Sequence, residues 1–251
     1  MRTFDTSTSA IYSRVRPTYP AELYFWLSRQ VPNTQRVWDC ACGTGQASID
    51  LAAYFSQVEA TDISEAQIAK ATPHRHVNYT VQPAESTHFP DNHFDAVCVA
   101  HALHWFELDA FWVEVKRVLK PGGKVFIWGY NWAQFESELD TAVRQHILSI
   151  LKPHWPEKTA LLREQYRAIE FPFETIETPE FDLKCRWTMS QAFAFMRTWS
   201  AAQIMVENHG DERILQAESA VAEVWQNPQK KQNVKLPFFV YAGQFKEADP
   251  N

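Results

Sequence analysis

Residues 37–48 read Val37-Trp38-Asp39-Cys40-Ala41-Cys42-Gly43-Thr44-Gly45-Gln46-Ala47-Ser48, an apolar run that ends in an acidic residue and passes into a turn of small side chains. A strand that runs through such a turn into a helix has this composition. Gly43 and Gly45 lack a Cβ, so they accept positive φ and leave room for a ligand to approach the backbone. Free amide N–H groups at the start of a helix would also attract a carboxylate or other anionic group. A plain β-to-α turn would look the same, so the surrounding residues decide between the two.

Asp62 closes the next apolar run, 57 to 61, about 20 residues after the glycine turn, a spacing that suits a carboxylate gripping ribose hydroxyls at the carboxyl edge of a parallel sheet. A dinucleotide-binding turn normally reads G-x-G-x-x-G and needs its amides for a pyrophosphate. Here the run is Ala41-Cys42-Gly43-Thr44-Gly45 with Asp39 ahead of it. An acidic group beside the turn repels phosphate and suits a cationic ligand with an amino acid moiety. The charge balance therefore favours a sulfonium cofactor over NAD.

Outward from this turn, short apolar runs alternate with amphipathic stretches, the signature of β-α units around a mostly parallel sheet. The expected strands are 36 to 40, 57 to 61, 76 to 82, 94 to 100 and 124 to 130. After the fourth, Leu108, Phe111, Trp112, Val115, Val118 and Leu119 recur at helical spacing, and Pro121, Gly122 and Gly123 then stop the helix. Ser64 and Gln67 have the spacing of a capping box opening another helix, which ends before Pro73. Beyond Asn131 the rhythm breaks: 136 to 151, 157 to 169, 190 to 198 and 211 to 226 read as helices, 174 to 188 as one long strand, and 235 to 245 as strand. The expected fold is α/β, a doubly wound, mostly parallel seven-stranded sheet with a helical cover inserted after the fifth strand.

At 251 residues the chain suits one large α/β domain, and 45% hydrophobic with 22% charged residues is ordinary globular composition. No run approaches the roughly 18 apolar residues of a membrane span, and no signal-like segment opens the chain, so a cytoplasmic protein is expected. A net charge of -6 argues against a nucleic-acid partner. Cys40 and Cys42 form C-x-C and not a zinc-type pair, so the four cysteines read as reduced thiols and no metal is expected.

Several motifs, in order, resemble the class I S-adenosylmethionine-dependent methyltransferases, in the type 11 or UbiE-like group. VWDCACGTGQ resembles the family's first motif, EATDIS its second, QPAESTHFPDNHFDAV its third with the fourth-strand region, and RVLKPGGKVFIW its fifth-strand entry. The resemblance implies a Rossmann-like methyltransferase fold with S-adenosyl-L-methionine as cofactor. It implies that Asp39, Ala41 and Gly43 border the methionine part, Asp62 the ribose, Ile63 the adenine face, and Ala84 with Glu85 the adenine edge. Gln67 is counted with this set, and Ala100 and His101 would lie beneath the sulfonium. The family usually has Gly where this chain has Ala41. YSRVRPTYP (12 to 20) and FAFMRTWSAAQ (193 to 203) resemble segments of the trans-aconitate methyltransferase-like group, in which Tyr12, Arg16 and Tyr19 would close over the cofactor and Trp199 would belong to the substrate cover.

The domain organisation expected is a cofactor-covering segment at 1–33, a cofactor-binding core at 34–130, a cover at 131–233 and a final strand at 234–245. His101, His104, Trp105, Phe106, Trp128, Tyr130 and Trp132 fall just after the fourth and fifth strands, on the edge where open α/β sheets bind ligands, and form the candidate substrate wall. Trp105 and Trp128 would serve equally well as packing residues. His101 and His104 are the candidate bases for an acceptor that must lose a proton. The expected acceptor is a small organic molecule, a carboxylic acid if Arg16, Arg186 or Arg197 faces the pocket, and the protein is expected to act as a monomer or homodimer. A non-catalytic binding module of the same fold and a NAD-type oxidoreductase are the alternatives.

Overall fold

The structure, a computed structural model, describes residues 17–244. Its centre is a seven-stranded sheet in the order β3-β2-β1-β4-β5-β9-β6. The strands are β1 (Arg36–Cys40), β2 (Gln57–Asp62), β3 (Val77–Val81), β4 (Phe94–Ala100), β5 (Leu119–Tyr130), β6 (Glu174–Ile176) and β9 (Phe238–Gln244). The first five run parallel, and β9 lies antiparallel between β5 and β6. Strand order reverses between β1 and β4, the point in an open α/β sheet where a crevice forms at the carboxyl ends.

Period-2 alternation sends each strand's side chains to two cores. Val37, Cys98, Phe126 and Trp128 pack on one face with Leu23, Tyr24 and Leu27 of α1 (Ala21–Gln30) and Ala47 and Leu51 of α2 (Gln46–Leu51). Trp38, Val97, Val125 and Ile127 pack on the other with Phe111, Val115 and Val118 of α4 (Leu108–Val118). Burial on both faces is why these strands read as near-continuous apolar runs.

Between β2 and β3 a helix over Ser64 onward is reduced to α3 (Glu65–Ile68), and the Ser64 side chain makes no capping hydrogen bond. Helix α4 ends at Val118; Leu119 is already extended, and Pro121-Gly122-Gly123 lie within β5, where the register with β4 shifts. After β5 the chain builds α5 (Ser137–Ala142), which continues through a π-helical turn (Val143–Leu148) into Ser149–Leu151, then α6 (Thr159–Arg163). The helix expected over 157 to 169 stops there because Gln165 and Tyr166 take left-handed backbone, φ 55 and 59.

The long strand expected over 174 to 188 is two strands in different sheets. Only β6 joins the main sheet, and β7 (Leu183–Trp187) pairs antiparallel with β8 (Gln232–Leu236) in a separate two-stranded ribbon. Between β7 and β8 lie α7 (Met189–Arg197), α8 (Ser200–His209), which the sequence reading did not single out, and α9 (Glu212–Trp225). Thr188 caps α7 with a true capping box shared with Gln191. Pro237, which lacks an N–H, separates β8 from β9 in what reads as one terminal strand. Among the described residues no helix is long and apolar enough to cross a membrane, and no three potential ligand side chains converge as a metal site.

Candidate functional site

The turn after β1 holds three left-handed residues, Ala41 (φ 57), Gly43 (φ 58) and Gly45 (φ 83). Ala41 thus takes the conformation that glycine takes at no steric cost, at an expense of about 1 kcal/mol. Around Gly43 nothing lies within 4 Å of where a Cβ would stand, whereas a Cβ on Gly45 would collide with the Tyr79 ring and hydroxyl. The turn's amides are not free. Cys42 N–H donates to Thr61 O at 2.8 Å, Gly45 N–H to Cys42 O at 3.0 Å, and Gly43 N–H to Asp62 Oδ2 at 2.9 Å. What the turn offers a ligand is space beside carboxylates, an arrangement hostile to a pyrophosphate.

Asp39 is fully buried at the end of β1. Its Oδ2 accepts from Ser48 Oγ at 2.5 Å, and its Oδ1 has no hydrogen-bond partner among the described residues. Burial drives its pKa up to about 7, with the neighbouring Asp62 adding to the rise and the Ser48 hydroxyl opposing it. Asp62, half-buried, accepts from Gly43 N–H and from Ser64 N–H at 2.8 Å, so it ties the turn after β1 to the turn after β2. Its carboxyl is also raised, mainly by burial, against the pull of those two amides.

Beside Asp62, Ile63 is 58% exposed, a bare apolar side chain at the carboxyl edge of the sheet. Ala84 is buried, and Glu85 Oε1 accepts from Glu107 N–H, the residue that opens α4, at 3.0 Å. The loop carrying these two residues is fixed by Glu114, buried on α4. Its carboxylate accepts from Thr87 N–H at 2.8 Å, from the Thr87 hydroxyl at 2.5 Å, and from Arg117 through Nε at 2.9 Å and Nη2 at 2.7 Å. Arg117 also donates to Phe89 O and to Asp91. Sequence patterning missed this brace, although the Glu-x-x-Arg spacing on one helical face is a visible signal for an ion pair.

Ala100 ends β4, and His101 follows it with φ 59, held by its N–H to Trp128 O at 2.7 Å. The His101 ring stacks on Tyr130, centroids 4.3 Å apart. His104 is buried in a 3-10 turn (Leu103–Trp105), with Nδ1 2.9 Å from the Tyr166 hydroxyl, while Trp105 is 41% exposed. Trp128 is fully buried, packed edge-on by Tyr19 and Tyr24, and its Nε1–H has no hydrogen-bond partner among the described residues. Tyr19 also approaches Tyr130 at 6.3 Å, and Phe195 of α7 reaches the same ring. Trp199, opening α8, packs on Trp155 and Phe195, one cluster removed from the β4 and β5 edge.

Gln67 is buried in α3, its Oε1 without a partner among the described residues. Tyr12 and Arg16 lie outside the described residues. Of the other cations considered for a carboxylate substrate, Arg197 is held by Glu218 at 2.6 and 2.8 Å and by Asp211 at 3.2 Å, and Arg186 sits exposed on the outer face of β7. Arg197 is thus already engaged by carboxylates of the cover.

The residues present fit a sulfonium cofactor carrying an amino acid group. A buried carboxylate oxygen without a partner beside an open glycine matches an ammonium, and an exposed Ile63 next to Asp62 matches an apolar ring joined to a diol.

Comparison with known proteins gives the same picture. The type 11 family model described as "Methyltransferase domain" matches residues 38–127. A methyltransferase-family protein of Dictyostelium discoideum is 29% identical over 198 residues, 77% of this chain and 75% of that protein. The ubiquinone/menaquinone biosynthesis C-methyltransferase UbiE of Cupriavidus necator is 37% identical over 120 residues, 42% of this chain and 48% of that enzyme. A solved structure from Anaeromyxobacter dehalogenans, assigned to the type II methyltransferases, superposes with a TM-score of 0.83 at 35% identity, over 91% of this chain and 97% of that one.

Proposed function

The chain belongs to the class I S-adenosylmethionine-dependent methyltransferases of the type 11, UbiE-like group, and from that premise we propose that it methylates a small organic molecule held against the aromatic edge of β4 and β5. The observation that carries this reading is the wall itself: His101 stacked on Tyr130, with Tyr19, Trp128 and Phe195 closing around it at the carboxyl edge of the sheet.

S-Adenosylmethionine supplies a methyl group on a positive sulfur that becomes neutral as the methyl leaves. Asp39 and Gly43 would receive its amino acid end, Asp62 its ribose, and Ile63, Ala84 and Glu85 its adenine, with Ala41, Ala100 and Gln67 completing the walls and Tyr12, Arg16 and Tyr19 covering it. The protein's work is then to align the acceptor and to exclude water. Collinear placement of reacting groups supplies most of the rate in such a displacement, and a dry aromatic pocket disfavours the charged ground state. A base is needed only for an acceptor that arrives with its proton, and the two imidazoles are the candidate groups. Trp105, in the turn after β4, and Trp199, in the cover, would border the approach.

A carboxylic acid acceptor is the narrower reading, with Arg16 as its candidate cation, since Arg197 is engaged by Glu218 and Arg186 is exposed on β7. The proposal includes a cytoplasmic setting, action as monomer or homodimer, and no nucleic-acid partner, in keeping with the net charge of -6. The test is methyl transfer from labelled S-adenosylmethionine to panels of carboxylic acids, phenols and hydroxylated small molecules. Turnover of a panel member that falls on Tyr130→Ala with cofactor affinity unchanged supports the reading. Turnover indifferent to the wall residues would refute it.

A further inference from the structure

Tyr166 comes from the cover, just after α6, and reaches across to the segment that follows β4. It is 3% exposed, and its hydroxyl lies 2.9 Å from Nδ1 of His104, itself 4% exposed. The approach is built at some cost. Gln165 and Tyr166 are consecutive non-glycine residues with left-handed backbone, φ 55 and 59, a conformation that persists only where surrounding contacts impose it. Those contacts are present: Tyr241 of β9 donates its hydroxyl to Gln165 O at 2.7 Å, Tyr166 N–H donates to Leu161 O at 2.8 Å, and Phe239 packs edge-on against the Tyr166 ring.

The direction of the proton follows from the same neighbourhood. Burial holds the pKa of the phenol well above its ordinary value, so it keeps its hydrogen. Among the described residues the His104 imidazole is the one side chain within hydrogen-bond distance of the hydroxyl, so Nδ1 is the acceptor of its hydrogen. A ring nitrogen that accepts leaves the proton of the neutral imidazole on the other one.

We propose that Tyr166 is a positioning residue for methyl transfer: its O–H donates to His104 Nδ1 and fixes the ring proton on Nε2, so that His104 meets the methyl acceptor as a hydrogen-bond donor and not as a base. The proposal rests on the reading that the acceptor sits over the segment following β4. It leaves the base role, where an acceptor requires one, to His101, and it makes the cover a determinant of the chemistry at the core, since a residue of the inserted region sets the tautomer of one in the turn that follows β4.

The test uses the full chain with 15N-labelled histidine. Wild type is compared with Tyr166→Phe, which keeps the ring and its packing, and His104→Gln assigns the signal. At neutral pH the His104 ring is expected to show a protonated Nε2 and an unprotonated Nδ1, and Tyr166→Phe to populate both tautomers. A wild-type ring carrying its proton on Nδ1, a doubly protonated ring, or a tautomer indifferent to Tyr166→Phe overturns the proposal. For an acceptor that turns over, Tyr166→Phe is expected to lower kcat by about tenfold with cofactor affinity unchanged, the size of one lost hydrogen bond near a reacting group; an unchanged kcat also overturns it. Failure of every acceptor with wild type would instead count against the proposed function, while the histidine spectra still decide the role of Tyr166.

Discussion

Asp39→Asn separates the stability of this fold from its purpose. The Asp39 carboxyl is raised from 3.8 to about 7 by complete burial, so between about pH 4 and pH 7 the folded protein holds a proton that the unfolded chain has released. A raised folded value gives stability that is fully present below the unfolded value and is lost as pH rises through the folded one. Each pH unit of that window is worth about 1.4 kcal/mol, so the loss across it is about 4 kcal/mol, of which about 3 kcal/mol falls above pH 5. The substituted side chain leaves a buried amide hydrogen unpaired where Oδ1 stood, a cost of about 1–3 kcal/mol that does not vary with pH and so cancels in the comparison. Urea unfolding at pH 5 and pH 8, each extrapolated to water, is the assay. Wild type should lose about 3 kcal/mol more than Asp39→Asn between the two. Saturating S-adenosylmethionine should shrink the difference, because an ammonium beside the carboxylate stabilises its charged form. Parallel pH profiles for the two proteins would refute the reasoning.

Gly45→Ala should cost about 2–5 kcal/mol, combining left-handed alanine with overpacking against Tyr79, and Tyr79→Ala in the same chain should recover the steric share in a thermal double-mutant cycle. Asp62→Ala strands the Gly43 and Ser64 amides and removes the ribose acceptor, and calorimetric titration should show S-adenosylmethionine affinity lower by about a hundredfold. Glu114→Gln keeps an acceptor for Thr87 and loses the charge opposite Arg117, whose side chain is 31% exposed; a loss of about 1–2 kcal/mol in urea unfolding is expected.

The parallel half of the sheet was legible because β1, β4 and β5 are buried on both faces, and β1 and β2 lead into carboxylates and a glycine turn, a local pattern that survives without tertiary information. The antiparallel half was not. Residues 174 to 188 were read as one strand across Pro179, which parts the two segments, and only their partners, β9 for Glu174–Ile176 and β8 for Leu183–Trp187, assign them to different sheets. The Pro237 break was visible and passed over, as was the Thr-x-x-Gln box at Thr188. Ser64 failed in the opposite way: its N–H is drawn to Asp62, and its hydroxyl leaves the helix uncapped. The carboxylates of the site were found from spacing, whereas Tyr166 was not, because 62 residues separate it from His104 and nothing local announces the pairing. Arg197 looked available for a substrate because sequence does not reveal that Glu218, a helix away, already holds it.

The place of β9 bears on how the chain comes to be assembled. It sits inside the sheet, between β5 and β6, although it is the last strand in the described chain. During synthesis the parallel strands β1 to β5 are complete by Tyr130, with β5 then an open edge, apolar on both sides and lacking a partner for its outer hydrogen bonds. That edge stays unpaired while more than a hundred further residues emerge, and pairing at such separation is slow to form. An uncovered strand edge invites association with other chains. Shortened chains that stop ahead of Phe238 should therefore collect as aggregates while the cofactor half is already formed, and the yield of native protein should depend on how quickly the last strand reaches its slot.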